Sequence, residues 1–315
     1  MSPRPDTSLT RRLDGGGVVA LDGGLSNALE EAGADLSSAL WTARLLLDEP
    51  ERVAAVHEAY FRAGAEVATT ASYQASVPSL LAAGLSRAEA EALLTASVTV
   101  AREVRDRVAQ ETGRELWVAA SVGPYGAVLA DGSEYTGRYG LTPAQLRDFH
   151  APRLELLAAA GPDLLAVETV PDLDEAAVLV ELLDEVGLPA WLSYSVVGDR
   201  TRAGQPLSEA YAVTAGRTSL VAAGVNCSAP DDVLGAVRTA TEVTGLPAVV
   251  YPNRGEEWDG TRKAWSGGGA FDPALVPTWV AAGARLVGGC CRVGPADIGA
   301  VAAALRPTGE DAPRS

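Results

Sequence analysis

The sequence predicts a (β/α)8 barrel, and three observations predict it. Eight short runs rich in Val, Leu and Ala lie along the 315 residues, a stretch with helical spacing follows each of them, and no shift of composition marks a linker. The runs also lack strict alternation of apolar and polar residues, as expected of strands covered on both faces.

Taken in order, the runs are VVALDG (18–23), EVATTASY (66–73), WVAASVG (117–123), LLAVETV (164–170), AWLSYSV (190–196), LVAAGVNC (220–227), PAVVYPN (247–253) and RLVGGCC (285–291). The helical stretches carry start and stop signals. Pro50 stands near the first turn of 49–64, and Thr142 and Pro143 open 142–161 as N-cap and first helical residue. Helical spacing recurs over 86–110, 172–187, 208–216, 229–245, 272–283 and 294–306, and several of these stretches end in Gly, the usual left-handed stop. This alternation predicts a single barrel over residues 15–306, with residues 1–14 and 307–315 as disordered tails.

Composition narrows the function. Hydrophobic residues make up 47% of the chain and charged residues 21%, enough core material to argue against extensive disorder. A formal charge of −16 repels phosphate backbones and anionic lipid, so neither nucleic acid nor a membrane surface is an expected partner. No apolar run approaches the roughly 20 residues needed to cross a bilayer, and the first residues lack the apolar centre of a signal peptide. We therefore expect a cytoplasmic protein, a monomer or a small homo-oligomer.

In this fold chemistry sits on the loops that follow the C-terminal ends of the strands. Those ends bring to one rim Asp22 and Gly23, Thr70 to Tyr73, Gly123 to Tyr125, Glu168 and Thr169, Asn226 and Cys227, Asn253, and Cys290 and Cys291. Two long loops, 124–140 and 254–271, could cover a site there. All three cysteines of the chain fall on this rim. Three converging thiolates suit a borderline-soft ion such as zinc, with a fourth position open to substrate. Adjacent Cys290 and Cys291 can both reach one ion only if the backbone turns sharply, and Gly288 and Gly289 permit that turn. Spacing alone also allows the cysteines to be small buried hydrophobes or a redox pair. Other site patterns are missing: no glycine-rich stretch ends in GK[ST], no GxGxxG follows the first strand, and neither His57 nor His150 lies on the rim to serve a catalytic triad. Both histidines fall in predicted helices and read as structural.

The stretch 20–76, SVGPYGAVLADGSEYTG, GVNCSAP, VVYPNRGE and GARLVGGCCRVGPADI resemble, in their order, the homocysteine S-methyltransferase family, and within it the branch that uses S-methylmethionine. The likeness spans roughly residues 17–305. It implies a barrel enzyme in which Cys227, Cys290 and Cys291 bind Zn2+ and activate the thiol of homocysteine for methylation to methionine. The implied partners are homocysteine and a sulfonium donor, S-methylmethionine or secondarily S-adenosylmethionine. By the same resemblance Asp22 and Glu168 take the substrate ammonium, Gly23 and Thr70 let backbone and hydroxyl approach the amino acid, and Trp41 and Tyr73 stand near the donor, where aromatic faces attract a cation. Tyr125, Glu134 and Tyr135 are candidates for closing over it. The rival readings are a betaine-type homocysteine methyltransferase and a non-catalytic zinc or thiol-redox protein.

Overall fold

A computed structural model describes residues 5–35, 42–129, 131–255, 257–259, 264–266, 269 and 271–306, and in it eight parallel strands form one sheet. We number these strands β1 (Val19–Ala20), β2 (Val67–Thr69), β3 (Trp117–Val122), β4 (Leu164–Val170), β5 (Ala190–Tyr194), β6 (Leu220–Asn226), β7 (Ala248–Tyr251) and β8 (Ala284–Val287). Each pairs in parallel with its neighbours in sequence, and β8 pairs with β1. The cylinder closes between β1 and β2, where the Glu66 amide donates to the Ala20 carbonyl at 2.7 Å and the Asp22 amide to the Val67 carbonyl at 3.1 Å. The eight expected runs are these eight strands; LLAVETV is strand over its whole length, and the other seven are shorter than their runs, whose last residues turn out onto the rim.

Strand periodicity sorts side chains between two cores. Trp117 and Ala119, Leu164 and Ala166, Trp191, Val249 and Leu286 fill the inside of the barrel. Ala120 and Val122, Leu165 and Val167, Leu192, Val250 and Val287 face the helices. Burial on both faces is why the strands read as unbroken apolar runs. Carried two residues further, the same parity turns Ser121, Glu168, Ser193 and Tyr251 inward at the C-terminal end.

The helices begin where expected. Pro50 opens Pro50–Ala63, and Thr142 caps Pro143–Ala159 by accepting the Gln145 amide while Gln145 reaches back. Among the described residues no helix is long and apolar enough to cross a membrane.

One expectation needs correction. Residues 8–14, read as part of a tail, form the helix Ser8–Asp14, with Thr7 and Thr10 making a capping box. Its Leu9 and Leu13 are buried and join the interior core, while Ser8 accepts the indole N–H of Trp117 at 2.9 Å. Contact with the barrel floor orders this segment, which is too short to hold a helix by propensity. Residues 307–315 lie outside those described.

Candidate active site

The C-terminal mouth of the barrel gathers the three cysteines. Sγ of Cys227 lies 3.6 Å from Sγ of Cys291, Sγ of Cys290 lies 4.0 Å from that of Cys291, and all three sulfurs fall within 4.8 Å of one another. Four sulfurs set tetrahedrally about 2.3 Å from an ion stand about 3.8 Å apart, so the observed spacing fits one metal ion. The cluster can hold such an ion with little rearrangement.

Local backbone explains how adjacent cysteines share it. β8 ends at Val287, and the chain then turns: the Gly289 amide donates to the Asp22 carbonyl, the Cys290 amide to the Pro252 carbonyl, and the Val293 amide back to the Cys290 carbonyl. Asn253, at the end of β7, receives the Cys291 amide on its Oδ1 at 3.2 Å. Gly289 is required because a Cβ there would strike the Val293 side chain. Cys227 leaves β6 with a φ of 49°, a left-handed conformation unusual for a residue with a side chain.

Electrostatics makes the cluster ready for a cation. Hydrogen bonds from Cys290 and Cys291 hold the Cys227 thiol well below its ordinary value, helped by Tyr135 and the Arg202 guanidinium. That first thiolate, with burial, pushes Cys290 and Cys291 up. One thiolate forms readily and opposes the next two; a bound dication would reverse that opposition.

Two buried carboxylates share the mouth. Asp22 Oδ2 accepts the Thr69 amide at 2.7 Å, and Oδ1 accepts the Thr69 hydroxyl at 2.9 Å. Burial pushes its pKa up to about 8, against the Thr69 hydrogen bonds and with the charge of Glu168. Glu168 Oε1 accepts from the Ser121 hydroxyl, and burial raises its pKa to about 7, against hydrogen bonds from Ser121 and Tyr251. Carboxylates that burial keeps from ionising are poised for a positively charged partner.

The other predicted residues divide. Tyr73 is half-buried at the mouth with its ring against Gly123, and the charges of Glu134 and Cys227 add to burial in raising its phenol. Thr70 is buried, and its Oγ1 accepts the Ser121 amide at 3.0 Å and meets the Ser72 hydroxyl at 2.7 Å. Gly23 serves packing, since a Cβ there would strike the Val293 carbonyl oxygen and come within 3.0 Å of the Tyr60 ring. Trp41 lies outside the described residues.

In the loop after β3, Tyr135 places its hydroxyl 3.4 Å from Cys227 Sγ, beneath the Arg202 guanidinium at 5.6 Å from the ring centre. Glu134 beside it has a buried Oε2 without a hydrogen-bond partner, and burial lifts its pKa to about 7. Tyr125 does not join them. Its ring packs at 5.3 Å from Tyr139 and 4.9 Å from Phe149, on the inner side of the loop.

Both histidines lie in helices, buried. His57 sits in Pro50–Ala63, and His150 bonds Glu175 through Nε2 at 2.8 Å and meets Arg153 through Nδ1 at 2.7 Å. Sequence reasoning assigned no role to Ser121, Tyr251, Asn253 or Arg202. For the first two a signal existed, a polar residue at an inward position of an apolar strand.

A parallel barrel whose catalytic end carries three thiols spaced for one ion, beside two buried carboxylates, defines a barrel enzyme with a thiol-metal site. The chain belongs to the homocysteine S-methyltransferase family, whose model matches residues 19–305. It is 44% identical to homocysteine S-methyltransferase of Escherichia coli (strain K12) over 298 residues, covering 92% of this chain and 96% of that one. It is 43% identical to homocysteine S-methyltransferase 1 of Zea mays over 308 residues, covering 92% and 95%. Among solved structures, the metallated form of the homocysteine methyltransferase MmuM from Escherichia coli superposes with a TM-score of 0.86 at 42% identity, over 94% of this chain and 99% of that one. The apo form of that enzyme gives 0.75 at 37% identity, over 93% and 97%.

Proposed function

We propose that this chain transfers a methyl group from S-methylmethionine to the thiol of homocysteine, forming methionine, with zinc held by Cys227, Cys290 and Cys291. The observation that carries the reading is the set of three sulfurs at tetrahedral spacing beside the buried carboxylates Asp22 and Glu168. When bound, the ion supplies homocysteine as a thiolate at neutral pH in place of a thiol of pKa about 8.5.

The chain's own residues supply position. Asp22 and Glu168 bind the homocysteine ammonium and aim the sulfur toward the donor, which lowers the entropy cost of in-line transfer. Tyr73 and Tyr135 present aromatic faces to the donor's positive sulfur, and Glu134 adds a carboxylate. The new sulfur–carbon bond forms as the donor's bond to the same methyl breaks, and the departing electron pair leaves a neutral thioether. With S-methylmethionine both products are methionine, and the leaving group needs no proton. That agrees with a mouth to which neither histidine contributes.

Residues 15–306 act in this reading as one homocysteine-binding barrel. We place it in the cytoplasm, where reducing conditions keep three neighbouring thiols from forming disulfides.

The test is a donor panel on zinc-loaded protein. We expect methionine from homocysteine with S-methylmethionine, a slower reaction with S-adenosylmethionine, and joint loss of metal and turnover in Cys227→Ala. Turnover with betaine alone would move the protein to the betaine-type enzymes. No methionine with any sulfonium or betaine donor would overturn the enzyme reading.

A further inference from the structure

Two strands leave the barrel through the same unfavourable geometry. β4 ends in Glu168, Thr169 and Val170 with Thr169 at a φ of 60°, and Cys227 follows β6 at 49°. Both are left-handed and neither is glycine, so surrounding contacts must hold them. One side chain joins the two. Asn226 is fully buried; its Oδ1 accepts the Thr169 amide at 2.7 Å and the Ser193 hydroxyl at 2.8 Å, and its Nδ2 donates to Thr169 Oγ1 at 2.8 Å. The residue before a clustered cysteine thus grips both backbone and side chain of the residue after Glu168. A second route leads the same way: Ser193 meets the Tyr251 hydroxyl at 2.7 Å, and Tyr251 hydrogen-bonds Glu168. Asn226 is also paired with Tyr251 in the sheet, and the Cys227 amide donates to the Tyr251 carbonyl at 3.2 Å.

We propose that Asn226 is a positioning residue that locks the Glu168 turn to the Cys227 turn, fixing how far the ammonium-binding carboxylate stands from the sulfur site. This rests on the function proposed above. A buried amide serving only stability could take its hydrogen bonds from any strand; this one spends two of the three on Thr169, two strands along the rim from its own turn. Loss of the clamp should therefore disturb metal and amino acid together, as loss of partners behind a metal site commonly does.

The experiment compares Asn226→Ala, Thr169→Val, Thr169→Ser and the Asn226→Ala/Thr169→Val double variant. Zinc affinity is read by competition with a chromophoric chelator, homocysteine binding to zinc-loaded protein by calorimetry, KM and kcat by methionine formation, and folding by Tm. Asn226→Ala should weaken both zinc and homocysteine by about tenfold or more. Thr169→Val, which keeps the branched shape and removes one hydroxyl, should raise KM more than it lowers kcat, and Thr169→Ser should recover most of that loss. In zinc affinity the double variant should be little worse than Asn226→Ala alone, because the Asn226–Thr169 connection is already cut there and Thr169→Val removes besides only the bond of that hydroxyl to Tyr73. Folded variants with parental zinc and homocysteine affinity and only a lower Tm would overturn the clamp. Should Asn226→Ala not fold, Thr169→Val against Thr169→Ser decides on KM. If the parental protein makes no methionine, the proposed function fails, and calorimetry with the chelator assay still judges the clamp.

Discussion

The phenol oxygen of Tyr135 lies 3.4 Å from Sγ of Cys227, although 92 positions separate them in the chain. The loop after β3 thus reaches over the sulfur cluster, and Arg202 holds the ring from the other side. Tyr135→Phe keeps that stacking and removes only the hydroxyl beside the sulfur. We expect Tm to stay close to parental while zinc affinity falls by about threefold to tenfold, the worth of roughly one ordinary hydrogen bond of about 0.5–1.5 kcal/mol. Chelator competition measures it.

Glu168 receives Ser121 and Tyr251 on a carboxylate that has little access to water. Glu168→Gln keeps the shape and discards the charge that the proposed ammonium site needs. KM for homocysteine should rise by about tenfold to a hundredfold, matching about 1.5–3 kcal/mol for a charge-assisted bond. Metal content should stay at the parental level; metal loss in this variant would assign Glu168 to the metal site instead.

His57 is buried with both ring nitrogens unpartnered, and burial lowers its pKa from 6.5 to about 4. Between those values the unfolded chain binds the proton more readily than the folded one. Stability is therefore lost as pH falls through that window, by about 2 kcal/mol by about pH 5 for this group alone. His57→Leu should shrink the fall in urea midpoint between about pH 7.5 and about pH 5. An unchanged pH dependence would show that His57 does not carry it.

Gly23 has no room for a side chain against Val293 and Tyr60. Gly23→Ala must push the turn after β1 away from the segment that follows Cys291, at a cost of about 1–3 kcal/mol from overpacking. Tm and zinc affinity should fall together. Gly235→Ala is the control: a Cβ there meets nothing within 4 Å, inside the helix Pro230–Thr244, so stability should hold or rise slightly.

Much of this was legible in the sequence because the barrel buries both faces of every strand. Unbroken runs such as LLAVETV marked the strands, and their ends marked the rim on which Asp22, Glu168, Cys227, Cys290 and Cys291 converge. What stayed hidden depends on contacts between distant segments. Leu9 and Leu13, four apart, offered half a helical stripe, yet only the barrel floor makes Ser8–Asp14 a helix. The loop 124–140 has no periodicity to give its path, so its three candidate residues could not be told apart. The structure turns Tyr125 toward Phe149 and sends Tyr135 to Cys227. Thr70 and Gly23 lie at the predicted end of the barrel, and their contacts with Ser121 and Val293, from distant segments, could not be read from spacing.

The helix Ser8–Asp14 stoppers the foot of the cylinder, and Leu9 and Leu13 seal it with hydrocarbon. With Trp117 and Trp191 packed above that plug, the foot is given over to holding the cylinder together, and ligands are left the opposite end alone.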